Sequence, residues 1–143
     1  MKIIILGAGS VGATLADRLA TEKHDITLVD TNAKQLQDLQ EHLDINVICG
    51  NAASPRILAR SGAGNADMLI AVTNNDEINI VACQICYSLF QTPLKVTRIR
   101  NQDYLTHPAI FTNKHIPIDV LISPEQLVTE YIQRLIKHPE ALQ

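Results

Sequence analysis

Residues 3–12 of this 143-residue chain read IIILGAGSVG, an apolar run followed by glycines spaced as G-x-G-x-x-G. The run at 3–6 is rich in β-branched residues and is typical of a parallel strand buried on both faces. Beyond the glycines, Val11, Leu15 and Leu19 recur at helical spacing, which predicts an amphipathic helix. A glycine fingerprint between a buried strand and a helix predicts a turn that binds a dinucleotide. The alternative is a glycine-rich turn without a ligand.

Each glycine of the fingerprint has its own physical role. Gly7 permits the tight turn, Gly9 lets the backbone approach a pyrophosphate, and Gly12 lets the helix pack closely against the strand. The free N–H groups and the positive end of the helix dipole then face the phosphates. We therefore expect the phosphates to lie against the loop residues Gly7, Ala8, Gly9, Ser10, Val11 and Gly12.

Strand-like and helix-like segments alternate along the rest of the chain. Further strands are predicted at 25–30, 45–49, 67–73, 94–100 and 120–122. Ser123, Pro124 and Glu125 are predicted to open a last helix. Repeated βα units imply an α/β fold, a Rossmann-like doubly wound parallel sheet of six strands in three α/β/α layers with the order 3-2-1-4-5-6. We expect this domain at 1–138 and a short tail at 139–143.

Asp30 ends the second predicted strand, about twenty residues after the glycine turn, where a carboxylate hydrogen-bonds the ribose hydroxyls of NAD. The same carboxylate repels a 2′-phosphate, and neither Thr31 nor Asn32 is an arginine that would attract one. NAD is therefore favoured over NADP, and Thr31 is counted with the ribose side of the site. The alternative for Asp30 is the N-cap of the next helix.

Small polar residues follow the third and fourth predicted strands. Asn51 and Ala52 come after strand 3, which lies beside the adenine in this topology, and a simple turn is the alternative. Thr73 and Asn74 end strand 4, across the switch point from the glycine loop. We expect these two residues to meet phosphate or the second nucleotide.

Arg98 and Arg100 lie two positions apart on strand 5 and therefore share one face of the sheet. Both faces of a parallel sheet are normally covered, so two guanidinium groups there need a partner. A phosphate or an acidic side chain of a neighbouring subunit is suitable. The alternative is a pair of ordinary ion pairs at the end of the strand.

Composition narrows the function classes. Aromatic residues make up 3% of the chain and the net charge is −3, so nothing favours a nucleic-acid partner. No apolar run approaches the roughly 18 residues that span a bilayer, which predicts no direct membrane insertion. Cys83 and Cys86 form C-x-x-C well inside a predicted helix, where small buried thiols are a better interpretation than a redox or zinc site. We find no catalytic acid, base or nucleophile.

The last predicted helix carries an apolar stripe wider than one sheet face usually needs. Part of this stripe is predicted to bind a second copy of the chain, giving a homodimer, and the alternative is full burial on the parent sheet. The stripe consists of Leu127, Val128, Tyr131, Ile132, Leu135 and Ile136.

Five segments together resemble the TrkA N-terminal family, whose members are also called RCK or KTN domains. The resemblance covers about residues 2–138. The segments are 1–12, 25–31 (DITLVDT), 66–79 (ADMLIAVTNNDEIN), 97–100 (TRIR) and 122–128 (ISPEQLV). Such domains bind NAD(H) or ATP/ADP, and they gate a membrane potassium transporter or channel. They are not known as catalysts.

The resemblance also implies positions for the ligand. The phosphates are expected on the loop from Gly7 to Gly12, the ribose on Asp30 and the adenine near Asn51 and Ala52. Thr73, Asn74 and Arg98 match positions that line the rest of the site, and Arg100 matches less closely. Some relatives have an arginine in place of Ser10 that helps bind the γ-phosphate of a neighbouring subunit's ATP, so its absence weakens an ATP-specific interpretation.

The predicted function is therefore a nucleotide-binding regulatory domain, cytoplasmic and held at the inner face of the membrane by a potassium transporter subunit. The alternative is the nucleotide domain of an NAD-dependent oxidoreductase. Against that alternative stand the length of 143 residues, which leaves no room for a substrate domain, and the lack of an acid/base pair.

Overall fold

The structure is a computed structural model that describes residues 1–122 and 128–138. Strands and helices alternate along these residues. The strands are β1 (Lys2–Leu6), β2 (Asp25–Asp30), β3 (Asn46–Cys49), β4 (Met68–Ala71), β5 (Leu94–Arg98) and β6 (Val120–Ile122). The helices are α1 (Ser10–Thr21), α2 (Ala33–His42), α3 (Pro55–Arg60), α4 (Asp76–Phe90), α5 (Gln102–Leu105) and α6 (Val128–Lys137). The predicted helix start at Ser123, Pro124 and Glu125 and the predicted tail at 139–143 lie outside the described residues.

The strands form one parallel sheet in the order β3-β2-β1-β4-β5-β6, which confirms the predicted doubly wound topology. Strand β1 lies in the middle and pairs with β2 on one side and β4 on the other. The connections after β1 and after β4 lead to opposite edges of the sheet. Their carboxyl ends therefore define the switch point where ligands bind in such folds.

Side chains of β1 alternate between two apolar clusters, one on each face of the sheet. Ile3 and Ile5 belong to the cluster that α1, α2 and α6 cover. Ile4 and Leu6 belong to the cluster that α3 and α4 cover. All four side chains are fully buried. This double burial explains why the sequence of β1 is apolar without alternation, and it confirms the three-layer arrangement.

Strands β4 and β5 are shorter than predicted at their carboxyl ends. The prediction for β4 reached residue 73, and that for β5 reached residue 100. The backbone N–H of Thr73 instead donates to the side chain of Asn79, and the N–H of Arg100 donates to the carboxylate of Asp76. Side chains of α4 thus replace the sheet hydrogen bonds at both strand ends.

Most of the described apolar stripe of α6 packs within the domain. Val128, Ile132 and Leu135 are buried in the cluster that α1 and α2 also cover. Tyr131 and Ile136 are partly buried against the same cluster. Only these two side chains of the described stripe keep a substantial exposed fraction, and Leu127 lies outside the described residues.

Candidate functional site

A cavity of about 700 Å³ lies beyond the carboxyl ends of β1 and β4. It occupies the switch point, where the topology predicts a ligand. Gly12, Asn51 and Ala52 are the predicted site residues that lie outside its lining. The lining consists of Gly7, Ala8, Gly9, Ser10, Val11, Ala13, Asp30, Thr31, Asn32, Gln35, Val72, Thr73, Asn74, Arg98 and Arg100.

The glycine loop has the geometry that its spacing predicts. Gly7 has φ = 107°, a conformation that residues with a Cβ rarely adopt, and its backbone lies against Val72 and Thr73. A Cβ on Gly12 would overlap the carbonyl oxygen of Gly7, so α1 approaches the loop as closely as a glycine allows. A Cβ on Gly9 would meet no atom within 4 Å. The missing side chain at Gly9 is therefore not required by packing within the chain. It leaves the cavity open beside the backbone.

Helix α1 begins at the cavity without a side-chain cap. Gly9 is its N-cap residue and has no side chain to accept hydrogen bonds from the first N–H groups. The first turn also has no acidic residue that would balance the helix dipole. The first N–H groups and the positive end of α1 are thus left for an anion in the cavity.

Asp30 binds the glycine loop in addition to lining the cavity. Its Oδ1 accepts a hydrogen bond from the N–H of Ala8 over 2.9 Å, and its Oδ2 accepts one from the N–H of Asn32 over 2.9 Å. The N-cap of α2 is Asn32, whose side chain accepts from the N–H of Gln35. The structure therefore excludes the helix-cap alternative for Asp30.

Asn32 and Gln35 line the cavity although the sequence analysis assigned no site role to them. Gln35 stands three residues after the N-cap Asn32, a spacing at which glutamine often completes a capping box. Here its Nε2 donates to the carbonyl oxygen of Ala8 over 3.4 Å, while the N–H of Asn32 donates to Asp30. The Asn-x-x-Gln spacing after the second strand was the signal that could have indicated Gln35.

Asn51 and Ala52 form a turn after β3. The Oδ1 of Asn51 accepts from the N–H of Ala53 over 2.8 Å, while Ala52 is buried in the apolar cluster with α3 and α4. These contacts agree with the turn that the sequence left as an alternative. Their contact with an adenine stays a prediction.

Arg98 and Arg100 lie together on the wall of the cavity opposite Asp30. Among the described residues, neither guanidinium has a carboxylate oxygen within the 4.0 Å of an ion pair. Burial lowers the pKa of Arg98, the positive charge of Arg100 lowers it further, and the charge of Asp76 raises it. An anion bound between these two arginines would relieve their mutual repulsion.

Thr73 and Asn74 border the cavity between the glycine loop and the arginines. Thr73 is held by Asn79, a fully buried residue of α4 that sequence reasoning missed. In a helix that packs on a sheet, a position of this kind is expected to be apolar, so nothing in the helical pattern pointed to a role for Asn79 in the site.

The C-x-x-C pair has no part in the cavity. Cys83 and Cys86 are buried inside α4. Burial raises the pKa of both thiols, that of Cys86 to about 11, so both are protonated at neutral pH. A redox motif needs a lowered thiol pKa, and these thiols have the opposite. Within the described part of the chain, no three His, Cys, Asp or Glu side chains cluster as metal ligands.

A doubly wound parallel sheet, a glycine turn with φ = 107° at Gly7 and a cavity at the switch point define a Rossmann-type domain. The TrkA-N domain family matches residues 3–124, and the chain belongs to this family. Among residues 1–122 and 128–138, no helix has both the length and the apolar character needed to cross a bilayer.

Curated relatives with similar sequences are potassium uptake proteins. The chain is 56% identical over 143 residues to the Trk system potassium uptake protein TrkA of Halomonas elongata, covering 100% of this chain and 31% of that protein. It is 57% identical over 144 residues to the TrkA protein of Haemophilus influenzae, with the same coverage of 100% and 31%. The chain thus spans about a third of the length of these relatives.

Solved structures share the fold at low sequence identity. A GsuK channel bound to NAD has a TM-score of 0.71 and 21% identity, over 85% of this chain and 21% of that chain. GsuK bound to ADP has a TM-score of 0.70 and 21% identity, over 85% of this chain and 31% of that chain. The TrkA-N domain of the inner membrane protein ybaL from Escherichia coli has a TM-score of 0.76 and 16% identity, over 94% and 96%.

Proposed function

We propose that this domain binds an adenine nucleotide, NAD(H) first and ATP or ADP as competing ligands, and regulates a potassium uptake system. The observation that carries the proposal is the charge pattern of the switch-point cavity. The uncapped start of α1 attracts phosphates, as do Arg98 and Arg100, which have no ion pair among the described residues. Asp30 stands where ribose hydroxyls bind. An adenine nucleotide carries phosphates next to a ribose, which matches this arrangement of positive groups and a carboxylate.

Asp30 supports NAD(H) over NADP(H). A 2′-phosphate at the ribose would meet a carboxylate whose two oxygens already anchor the backbone of Ala8 and Asn32. Moving Asp30 away would break both hydrogen bonds. Ser10, at the start of α1, offers no positive charge to a γ-phosphate. The fold neighbours in complex with NAD and with ADP agree with an adenine nucleotide of either kind.

We propose regulation rather than catalysis as the output of binding. The relatives that match the whole chain are named for potassium uptake. In our proposal the domain works at the cytoplasmic face of the membrane, bound to a potassium-transporting membrane subunit. Binding can change that partner only if the nucleotide prefers one of two arrangements of the assembly.

We further propose that residues 1–138 act as one domain and that a homodimer forms through the last helix. The surface for this contact is the partly exposed pair Tyr131 and Ile136 of α6. Light scattering tests it, since Ile136→Lys is expected to convert a dimer to a monomer. The matched variant Glu130→Lys, on the exposed side of the same helix, is expected to leave the dimer intact. A wild-type monomer at micromolar concentration would contradict this contact.

Isothermal titration of the full chain with NADH, NAD, ATP and ADP tests the proposed nucleotide site. Gly9→Ala adds a methyl group to the open cavity and is expected to weaken binding about tenfold or more, because the pyrophosphate must approach that backbone. Gly64→Ala also adds a methyl group in open space, away from the cavity, and is the matched control. No binding of any of the four nucleotides would overturn the proposal.

A fluorescence assay with NADH separates regulation from the oxidoreductase alternative. A regulatory domain is expected to bind NADH without consuming it when candidate carbonyl substrates are added. Steady loss of NADH fluorescence that depends on the chain and on one such substrate would favour the oxidoreductase. Gly9→Ala serves as the control, since a true turnover must fall with the affinity for NADH.

A further inference from the structure

We propose that Asn79 is a positioning residue of the cavity, which fixes the wall opposite Asp30 without touching the ligand itself. The inference rests on the proposed nucleotide site. Asn79 is completely buried in α4, and it does not line the cavity. It acts through Thr73 and Arg98, which do line it.

All the hydrogen-bonding capacity of the Asn79 side chain is spent on two strand ends. Its Oδ1 accepts from the N–H of Thr73 over 3.1 Å and from the hydroxyl of Thr73 over 2.7 Å. Its Nδ2 donates to the carbonyl oxygen of Thr73 over 3.2 Å and to that of Arg98 over 3.3 Å. A carboxamide has two acceptor sites and two donor hydrogens, so this set saturates it.

These hydrogen bonds take the place of the pairing between β4 and β5, which ends before Thr73. The last pair between β4 and β5 joins Ala71 to Thr97. Thr73 lies beyond that pair, and no later rung holds it at a fixed distance from Arg98. Asn79 supplies this link from the helix that covers both strands. It thereby fixes the distance between the backbones of two residues that line the cavity, Thr73 and Arg98.

Burying an amide at this position lowers the stability of the fold unless the amide makes hydrogen bonds such as those to the two strand ends. The neighbours of Asn79 on the buried face of α4 are apolar, Ile80 and Cys83 among them. An apolar side chain would pack there without any need for partners, whereas a buried amide must satisfy every polar atom. An apolar side chain, however, would leave the ends of β4 and β5 without a link.

The test is a pair of double-mutant cycles on the affinity of the full chain for NADH and ADP. Asn79→Asp keeps the shape and the acceptor but replaces the donor nitrogen by an oxygen, so at least one of the two donor hydrogens is lost. It is expected to weaken binding about tenfold, the effect of misplacing groups that a ligand needs. Together with Arg98→Gln the two losses should not multiply, because Asn79 acts through Arg98. Together with Asp30→Asn, on the other wall, they should multiply.

The control is Ser61→Ala, which removes another buried hydrogen bond, from the Ser61 hydroxyl to the carbonyl oxygen of Ile57 over 2.7 Å, far from the cavity. It is expected to leave the affinity within about twofold, since general destabilisation below the unfolding threshold does not change a site. Multiplicative losses in both cycles, or equal losses from Asn79→Asp and Ser61→Ala, would overturn the positioning role.

A second variant and a hydrogen-exchange measurement test the role of Asn79 if the first variant does not fold. If Asn79→Asp does not fold, Asn79→Ala takes its place. If neither folds, hydrogen exchange of the Thr73 amide in the wild-type chain without nucleotide decides, because an N–H bonded to a buried carboxamide is expected to exchange slowly before any ligand is added. Exchange of the Thr73 amide at the rate of an unprotected amide would overturn the inference. A wild-type chain that binds neither NADH nor ADP would overturn the proposed function, and a binding wild type with an unaffected variant would overturn Asn79 alone.

Discussion

The backbone N–H of Ala8 donates a hydrogen bond to Oδ1 of Asp30 over 2.9 Å, across the gap between the glycine loop and the end of β2. The other carboxylate oxygen accepts from the N–H of Asn32. The side chain predicted to bind a ribose therefore also fixes the loop predicted to bind the phosphates. Recognition of the sugar and the shape of the phosphate site depend on the same carboxylate.

Asp30→Asn is expected to weaken both binding and folding. One amide oxygen cannot replace two carboxylate acceptors, and hydrogen bonds to a charged group contribute about 1.5–3 kcal/mol each. We expect the affinity for NADH to fall about tenfold or more, and the free energy of unfolding to fall by about 1.5–3 kcal/mol, the contribution of one such hydrogen bond. Titration and urea unfolding measure the two effects. Asp25→Asn, at the exposed amino end of the same strand, is the control and should change neither.

The same variant should also lose selectivity between NADH and NADPH. The ratio of the two affinities is expected to move toward one, since the charge that repels a 2′-phosphate is gone. If the free energy of unfolding falls while both affinities stay as in the wild type, Asp30 serves the loop alone.

Two glycines of the fingerprint should respond very unequally to an added methyl group. Gly12→Ala forces a Cβ onto the carbonyl oxygen of Gly7 and is expected to destabilise the chain by about 3 kcal/mol or more. Gly9→Ala has free space and an extended backbone, but alanine is a poorer N-cap than glycine, so its stability is expected to change by less than about 1 kcal/mol. Thermal unfolding without nucleotide measures both. Equal destabilisation by the two variants would contradict the structure of the loop.

Removing either arginine of the cavity should weaken nucleotide binding and should remove a charge repulsion from the nucleotide-free chain. Arg98 and Arg100 repel each other, and the described residues provide no paired carboxylate. We expect Arg100→Gln to leave stability equal or slightly higher and to make the nucleotide affinity less dependent on salt. Titration at two salt concentrations measures this. Arg56→Gln, exposed on α3 away from the cavity, should keep the wild-type salt dependence.

Local patterns were enough to predict the fold and one side of the site. The run before Gly7, the glycine spacing and Asp30 lie within one βα unit and the strand that follows, so chain spacing alone places them together. Arg98, at the end of β5, and Arg100, just beyond it, were also predicted, because guanidinium groups are unusual at the end of a buried strand. In each case the sequence pattern and the burial lead to the same assignment.

The other side of the site depends on contacts that spacing does not reveal. Asn79 reaches Arg98 across 19 residues of sequence, and Gln35 reaches Ala8 across 27. Asn79 occupies a position on the inner face of α4 where periodicity predicts an apolar residue. The homodimer stays a prediction, because periodicity shows how wide the apolar stripe of α6 is but not how much of it another copy covers.

The buried thiols of α4 should make the chain less stable at alkaline pH. Burial raises the pKa of Cys86 from an ordinary 9.0 to about 11, against smaller opposing effects of Thr92 and Lys95. Between these two values the unfolded chain releases the Cys86 proton while the folded chain retains it. The thiol's contribution to stability is therefore fully present below pH 9 and is lost as the pH rises toward 11.

Urea unfolding at a series of pH values measures this loss. The free energy of unfolding of the wild type should fall between pH 9 and 11, by up to about 1–3 kcal/mol from this thiol. Cys86→Ala should make the slope shallower, and shallower again with Cys83→Ala, whose thiol pKa is also raised by burial. Cys49→Ala is the matched control, since that side chain stays exposed in the folded chain. If Cys86→Ala keeps the wild-type slope, the thiol is not retained in its protonated form, and the packing of α4 against the sheet differs from the one described.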